Sequence, residues 1–129
     1  MKIISIIPAR SGSKRLKNKN LSMLGKKPLI NHILEKLVNI AFISKIIIST
    51  DYPKIDKFIK KKNKKIIIDK RSKKLSSDKS TVLDVIKSIM KKYPNFDVYS
   101  YHLPTCPFIS KKDLVKGFNL IKKKILIFQ

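Results

Sequence analysis

The sequence predicts an α/β fold, with a mainly parallel sheet covered by helices on both faces in a three-layer α/β/α sandwich. Three observations predict it. Short β-branched runs, KIISII (2–7), KIIIST (45–50) and KKIIID (64–69), alternate with segments whose apolar residues recur at helical spacing. The runs are apolar on both parities, as in strands buried on two faces, and not on alternate residues as in a half-exposed strand. The longest polar stretches, 8–27 and 70–80, follow strands directly, and long loops in a compact domain usually carry function. At 129 residues and 43% hydrophobic, the chain is long enough for one domain with its own core.

The elements follow in order. Strand 2–7 is apolar throughout, so it is expected near the centre of the sheet. Residues 8–27 form a polar loop, and Pro28 suits the first turn of a helix, having no N–H to leave unpaired. In LINHILEKLVNI, Leu29, Ile30, Ile33, Leu34, Leu37 and Val38 share one helical face. Strand 45–50 precedes a short helix over DYPKIDKFIKKK, then strand 64–69 and an irregular loop over 70–80. Ser80 is placed to cap the helix TVLDVIKSIMKKY, whose apolar residues are Val82, Val85, Ile86, Ile89 and Met90. Pro94 ends it. FDVYSYHL is a fourth strand, and PTCPFIS is a loop between prolines. KKDLVKGFNLIKKK is the last helix, and ILIF (125–128) reads as the start of another strand.

The formal net charge is +23, from 31 basic and 8 acidic residues. So large a charge raises the possibility of a nucleic-acid-binding domain. Only Arg10, Arg15 and Arg71 are arginine, however, and the remaining cations are lysines in runs such as KKKNKK at expected helix ends. Aromatic residues are 8% of the chain and scattered, which does not suit a base-stacking platform. Compositional drift toward lysine therefore accounts for most of the charge, and no specific nucleic-acid partner is expected. An arginine retained in such a background marks a place where a planar, bidentate donor is needed. No uncharged apolar run approaches the roughly 18 residues of a membrane span. The opening MKIISIIPAR lacks a signal-peptide cleavage site, and the single Cys106 permits no internal disulfide; both suit a cytoplasmic protein.

In a parallel α/β sheet, ligands bind beyond the carboxyl ends of the strands. The unusual residues of this chain fall in the loops expected there. In ARSGSKRLKNKN, Gly12 allows a tight backbone turn. Ser11, Ser13 and nearby N–H groups can cradle an anion, and Arg10, Lys14, Arg15 and Lys19 supply charge. Asn20 adds an amide that can donate and accept at once. This is a polyphosphate site with one group placed to read a base or a sugar hydroxyl. Neither GxxxxGK[ST] nor GxGxxG is present.

IIPARSGSKRLKNKNLSMLGKKPLI resembles the opening of the acylneuraminate cytidylyltransferases, the CMP-sialic acid synthetases. IIISTD (46–51), RSKKLSSDKS (71–80) and LPTCPF (103–108) continue the resemblance in the family's order and at about its spacing. The resemblance implies a Rossmann-like nucleotidyltransferase fold of the nucleotide-diphospho-sugar transferase type. It implies that CTP and an acidic nine-carbon sugar react, with Mg²⁺, to give CMP-sugar and pyrophosphate. The related enzymes for the eight-carbon acid sugar of lipopolysaccharide share a similar opening and stay open as an alternative. So does an inactive CTP-binding fragment.

By position, the resemblance makes Arg10 and Lys19 catalytic, aligning and neutralising the triphosphate. Arg10, Ser11, Gly12, Ser13, Lys14, Asn20, Arg71 and Ser80 would bind the nucleotide, and Leu103 and Thr105 would lie on the sugar side. Asp78 would order its loop or receive Arg71, and Asp51 would sit in the switch region or cap the next helix. The family usually has Gln at the position of Leu103 and Ser at that of Cys106. Leu cannot hydrogen-bond, which points to a different acidic sugar, such as a pseudaminic or legionaminic relative. Cys106 reads as a packed small residue, and His102 as either a pocket residue or a structural histidine. Family members are longer. The 129 residues are therefore expected to be the N-terminal portion of a cytidylyltransferase domain, with the metal-binding carboxylates and much of a homodimer contact in a missing C-terminal part.

Overall fold

The structure, a computed structural model, describes residues 1–11, 19–59, 63–77 and 79–127, with side chains to Ile121. Four parallel strands form the main sheet: β1 (Ile3–Ala9), β4 (Ile43–Thr50), β5 (Ile66–Lys70) and β6 (Val98–Tyr101), in the order β5-β4-β1-β6. A small antiparallel hairpin, β2 (Met23–Leu24) and β3 (Lys27–Pro28), precedes helix α1 (Leu29–Val38). Helices α2 (Val82–Lys92) and α3 (Lys111–Ile127) flank β6 in sequence.

Every residue of β1 is buried, as its two-sided apolar pattern requires. It pairs with β4 from Ile3↔Ile43 to Ala9↔Thr50 and with β6 from Ile3↔Val98 to Ile6↔Tyr101. Side-chain parity then sorts the core. Ile3, Ile7, Ile46 and Ile48 face α1 and α3 through Ile33, Leu34, Leu37, Leu114 and Phe118. Ile4, Ile6 and Ile47 face Ile89 of α2. Burying each isoleucine contributes roughly 1.5–3 kcal/mol, and truncating one to Ala at this depth costs about 2–5 kcal/mol.

Several polar groups in this interior are paired. Asn31 of α1 donates to the Phe58 carbonyl at 2.7 Å. Ser5 and Ser100 share a hydrogen bond of 2.8 Å across β1 and β6, and His102 Nε2 joins Ser100 Oγ at 2.9 Å. Lys65 donates to the Ile40 carbonyl at 3.1 Å just beyond α1, where a cation also complements the helix dipole.

Four expectations need correcting. The stretch 8–27 is not one irregular loop: a 3-10 turn (Lys19–Leu21) and the β2–β3 hairpin lie within it. Gly25 turns that hairpin at φ +66°, a conformation costly for any residue with a Cβ, and His32 Nε2 fastens α1 to the Leu24 carbonyl at 2.8 Å. Between β4 and β5 the expected helix is only a 3-10 turn, Ile55–Phe58. Thr81, not Ser80, caps α2: its hydroxyl accepts from the Asp84 N–H, and the Asp84 side chain accepts from the Thr81 N–H. Residues 125–127 continue α3 and do not begin a strand. No Pro or Gly separates them from the helix, and a four-residue apolar run carries too little periodicity to mark a strand.

Candidate functional site

The carboxyl ends of β1, β5 and β6 and the start of α2 enclose a cleft of about 240 Å³. Pro8, Arg10, Lys19, Asn20, Arg71, Ser80, Tyr101 and Thr105 are among its walls. The residues come from five separated parts of the sequence. They meet because β1 lies between β4 and β6 and all four strands end on the same side.

Arg10 follows β1 directly, and its Nη1 reaches the Ser76 carbonyl at 3.4 Å. Its own carbonyl accepts from Asn20 Nδ2 at 3.2 Å, which holds the buried Asn20 amide at the cleft. The Tyr52 hydroxyl faces that amide without reaching hydrogen-bond geometry, and burial raises its pKa. Thr50 ties the ends of β1 and β4 together: its hydroxyl donates to the Ala9 carbonyl at 2.7 Å and accepts from the Tyr52 N–H at 3.0 Å.

Arg71 follows β5. Its N–H donates to the Thr50 carbonyl at 2.7 Å, its Nε to Ser49 Oγ at 2.9 Å, and its Nη1 to the Leu75 carbonyl at 3.5 Å. It is therefore not an unpartnered surface arginine. Burial lowers its pKa, Tyr101 and Asp51 oppose that shift, and Arg10 adds a smaller repulsion. The two arginines thus reach adjacent carbonyls, Ser76 and Leu75, of the serine-rich loop after β5. They brace that loop over the sheet while keeping positive charge in one cleft.

Ser80 lines the cleft, and its Oγ is buried with no hydrogen-bond partner among the described residues. A buried hydroxyl without a partner costs about 1–3 kcal/mol unless a ligand or water reaches it. With Thr81 doing the capping, Ser80 is left to face the cleft.

Ser11 behaves differently from the sequence reading. Its N–H and its hydroxyl both donate to the Asp51 carboxylate, each at 2.7 Å. Both donors are thereby committed to anchoring the loop after β1. Asp51 does not cap a helix; it is the other half of that anchor. Gly12, Ser13, Lys14 and Arg15 lie outside the described residues, as does Asp78.

Leu103, Pro104 and Thr105 form the rim beyond β6, with Leu103 46% exposed. Cys106, expected to be packed, is exposed on that loop. His102 is turned away from the cleft, bonded to Ser100 and tilted against Phe118, and burial lowers its pKa to about 4. It is neutral and structural.

Sequence reasoning missed Tyr101 as a site-forming residue and left Asp51 open between the switch region and a helix cap. Parity could have found Tyr101: two residues from Tyr99, it must share that residue's face of the sheet. Nothing local distinguishes Asp51 from a capping residue.

The description Cytidylyltransferase belongs to a family model that matches residues 4–125. N-acylneuraminate cytidylyltransferase of Escherichia coli O18:K1:H7 is 32% identical over 119 residues, covering 92% of this chain and 28% of that protein. CMP-N,N'-diacetyllegionaminic acid synthase of Legionella pneumophila is 33% identical over 112 residues, covering 84% of this chain and 48% of that protein. The solved CMP:2-keto-3-deoxy-manno-octonic acid synthetase complexed with CTP superposes with a TM-score of 0.76 at 24% identity, over 95% of this chain and 48% of its own. The chain thus spans between 28% and 48% of the length of these relatives. The last likeness supports the α/β nucleotidyltransferase-type fold. With the family model matched from the first strand into the last helix, the chain belongs to the cytidylyltransferase family.

Proposed function

We propose that the cleft binds CTP and that the protein supports transfer of CMP to an acidic nine-carbon sugar. The anomeric hydroxyl of the sugar attacks the α-phosphorus of CTP. A phosphorus–oxygen bond forms to the sugar, the bond to the β-phosphate oxygen breaks, and pyrophosphate leaves. Such transfer asks little covalent chemistry of the protein and much alignment and charge neutralisation.

The observation that carries the reading is the convergence of Arg10, Lys19, Asn20, Arg71 and Ser80 in one cleft at the strand ends of a cytidylyltransferase-family chain. In this reading Arg10 and Lys19 meet the phosphates and oppose the charge that spreads onto their oxygens. Asn20, Arg71 and Ser80 hold the nucleoside end. Gly12, Ser13 and Lys14 would extend the phosphate cradle. Leu103 and Thr105 border the sugar, and the named relatives suggest an N-acylated acid such as a neuraminic or legionaminic one.

Mg²⁺ supplies charge neutralisation to triphosphate chemistry of this kind, but the described residues do not fit a protein-held ion. No three His, Cys, Asp or Glu side chains converge among them. Asp51 is engaged by Ser11, Asp69 by Lys92, and Asp84 by Thr81. No step is therefore assigned to a metal.

No helix among the described residues is long and apolar enough to cross a membrane. We place the reaction in the cytoplasm, with a homodimer as the working assembly of the full-length family domain. Isothermal titration with CTP tests the binding half, and pyrophosphate release in the presence of N-acetylneuraminate tests the transfer half. Absence of CTP binding would overturn the reading.

A further inference from the structure

The serine-rich segment 72–77, between β5 and α2, is knitted into one piece. The Leu75 N–H donates to Ser72 Oγ at 3.2 Å, the Ser76 N–H to the Ser72 carbonyl at 3.1 Å, and Ser77 Oγ to the Lys74 carbonyl at 2.9 Å. Its ties to the sheet are of another quality. Arg10 Nη1 reaches the Ser76 carbonyl at 3.4 Å and Arg71 Nη1 the Leu75 carbonyl at 3.5 Å, beyond the roughly 2.7–3.2 Å of an ordinary N–H···O bond.

Two further features mark this seat of the segment as a costly one. Ser76 Oγ is buried there with no hydrogen-bond partner among the described residues, and a buried hydroxyl left unpaired is destabilising until water or a ligand reaches it. Leu75 and Ser77 also wall the cleft, whose volume is about 240 Å³, below the roughly 300–1,000 Å³ of ordinary small-molecule sites. A nucleoside triphosphate needs more room than that. Its phosphates also offer a guanidinium bonds of about 2.7–2.9 Å, often two at once.

We infer that segment 72–77 is a strap that narrows the cleft in the free chain and lifts when phosphate takes Arg10 from the Ser76 carbonyl. This inference rests on the reading of the cleft as a nucleotide site, and it adds a phosphate-operated gate to that site. A ligand can shift the strap only by as much as it favours the lifted state. Lifting frees Arg10 for the phosphates and lets water reach Ser76 Oγ, so both changes favour the lifted state once phosphate is present. The base contributes nothing to this exchange.

The test reads the strap through a thiol at its buried position. Ser76→Cys is made in a Cys106→Ala background, because Cys106 is exposed and would react first. The intact chain is then labelled with N-ethylmaleimide, an uncharged reagent. Saturating CTP or pyrophosphate should speed labelling about tenfold, within the roughly 5–150-fold usual for coupled equilibria, and cytidine should leave the rate unchanged. Arg10→Ala should speed labelling to a similar degree with no ligand present. Lys54→Gln, which removes a like charge from an exposed turn, should not. Trypsin gives the same reading in the wild-type chain, since Lys73 and Lys74 stand exposed on the strap: cleavage after them should accelerate with pyrophosphate and not with cytidine. A chain that binds neither CTP nor pyrophosphate in calorimetry overturns the nucleotide reading and this inference with it. A chain that binds CTP while labelling and cleavage hold steady or slow down overturns the inference alone.

Discussion

The Asp51→Ala variant isolates the anchor that holds the loop after β1. In the wild type the carboxylate accepts two hydrogen bonds from Ser11, both at 2.7 Å. Bonds to a charged acceptor contribute about 1.5–3 kcal/mol each when well buried. Both residues are only half-buried, so water can replace part of what is lost. Two such bonds would contribute about 3–6 kcal/mol if fully buried, and halving that for solvent exposure leaves a combined cost of about 2–3 kcal/mol. For a domain of this size 1 kcal/mol moves Tm by roughly 3–5 °C, so the expected drop is on the order of 10 °C. Urea unfolding followed by circular dichroism reads the same loss as a lower midpoint at unchanged slope. Asp51→Asn keeps one acceptor and should lose about half as much. CTP affinity should fall with either variant, because Arg10 immediately precedes the anchored Ser11. A midpoint equal to wild type in Asp51→Ala would show that the anchor contributes nothing and that the loop is positioned by other contacts.

Three further outcomes follow from the same geometry. Arg71→Lys should lower CTP affinity at least tenfold, since an ammonium cannot serve Ser49, the Leu75 carbonyl and a ligand from one rigid plane; calorimetry reads it. Thr81→Ala should cost about 1 kcal/mol of stability through the lost cap, whereas Ser80→Ala should leave stability unchanged or slightly raised and weaken CTP binding, as urea melts and titrations of both variants would show. Stability should fall as pH drops from 6.5 toward 4: the unfolded chain protonates His102 in that window while the folded chain, with its pKa lowered to about 4, does not. Replacing His102 by Gln should flatten that part of the stability profile.

What the sequence made legible was set by pattern. β1 and β4 are read correctly because isoleucine on both parities has one common cause, burial on two faces. Arg10, Asn20, Arg71 and Ser80 could be nominated because each stands in a loop that a parallel sheet must bring to one end. Their meeting in one cleft depends on strand order, and the β5-β4-β1-β6 arrangement supplies it. The misses lie where local chemistry is degenerate. Ser80 and Thr81 are adjacent hydroxyl residues, either able to cap α2, and the reciprocal Asp84 three residues beyond Thr81 decides between them. Asp51 reads as a capping residue until the fold brings Ser11 to it from forty positions away. Tyr101 carries no motif, and its register opposite Ile6 is what brings it to the cleft. The last turn of α3 is ambiguous in sequence because lysines followed by four apolar residues fit either helix or strand.

The most direct test is a crystal structure of this chain soaked with CTP. The account predicts density for the phosphates against Arg10 and Lys19, with the nucleoside against Asn20, Arg71 and Ser80. A cleft that stays empty at saturating CTP, or a nucleotide bound elsewhere on the basic surface with Arg10 and Asn20 turned away from it, would contradict it.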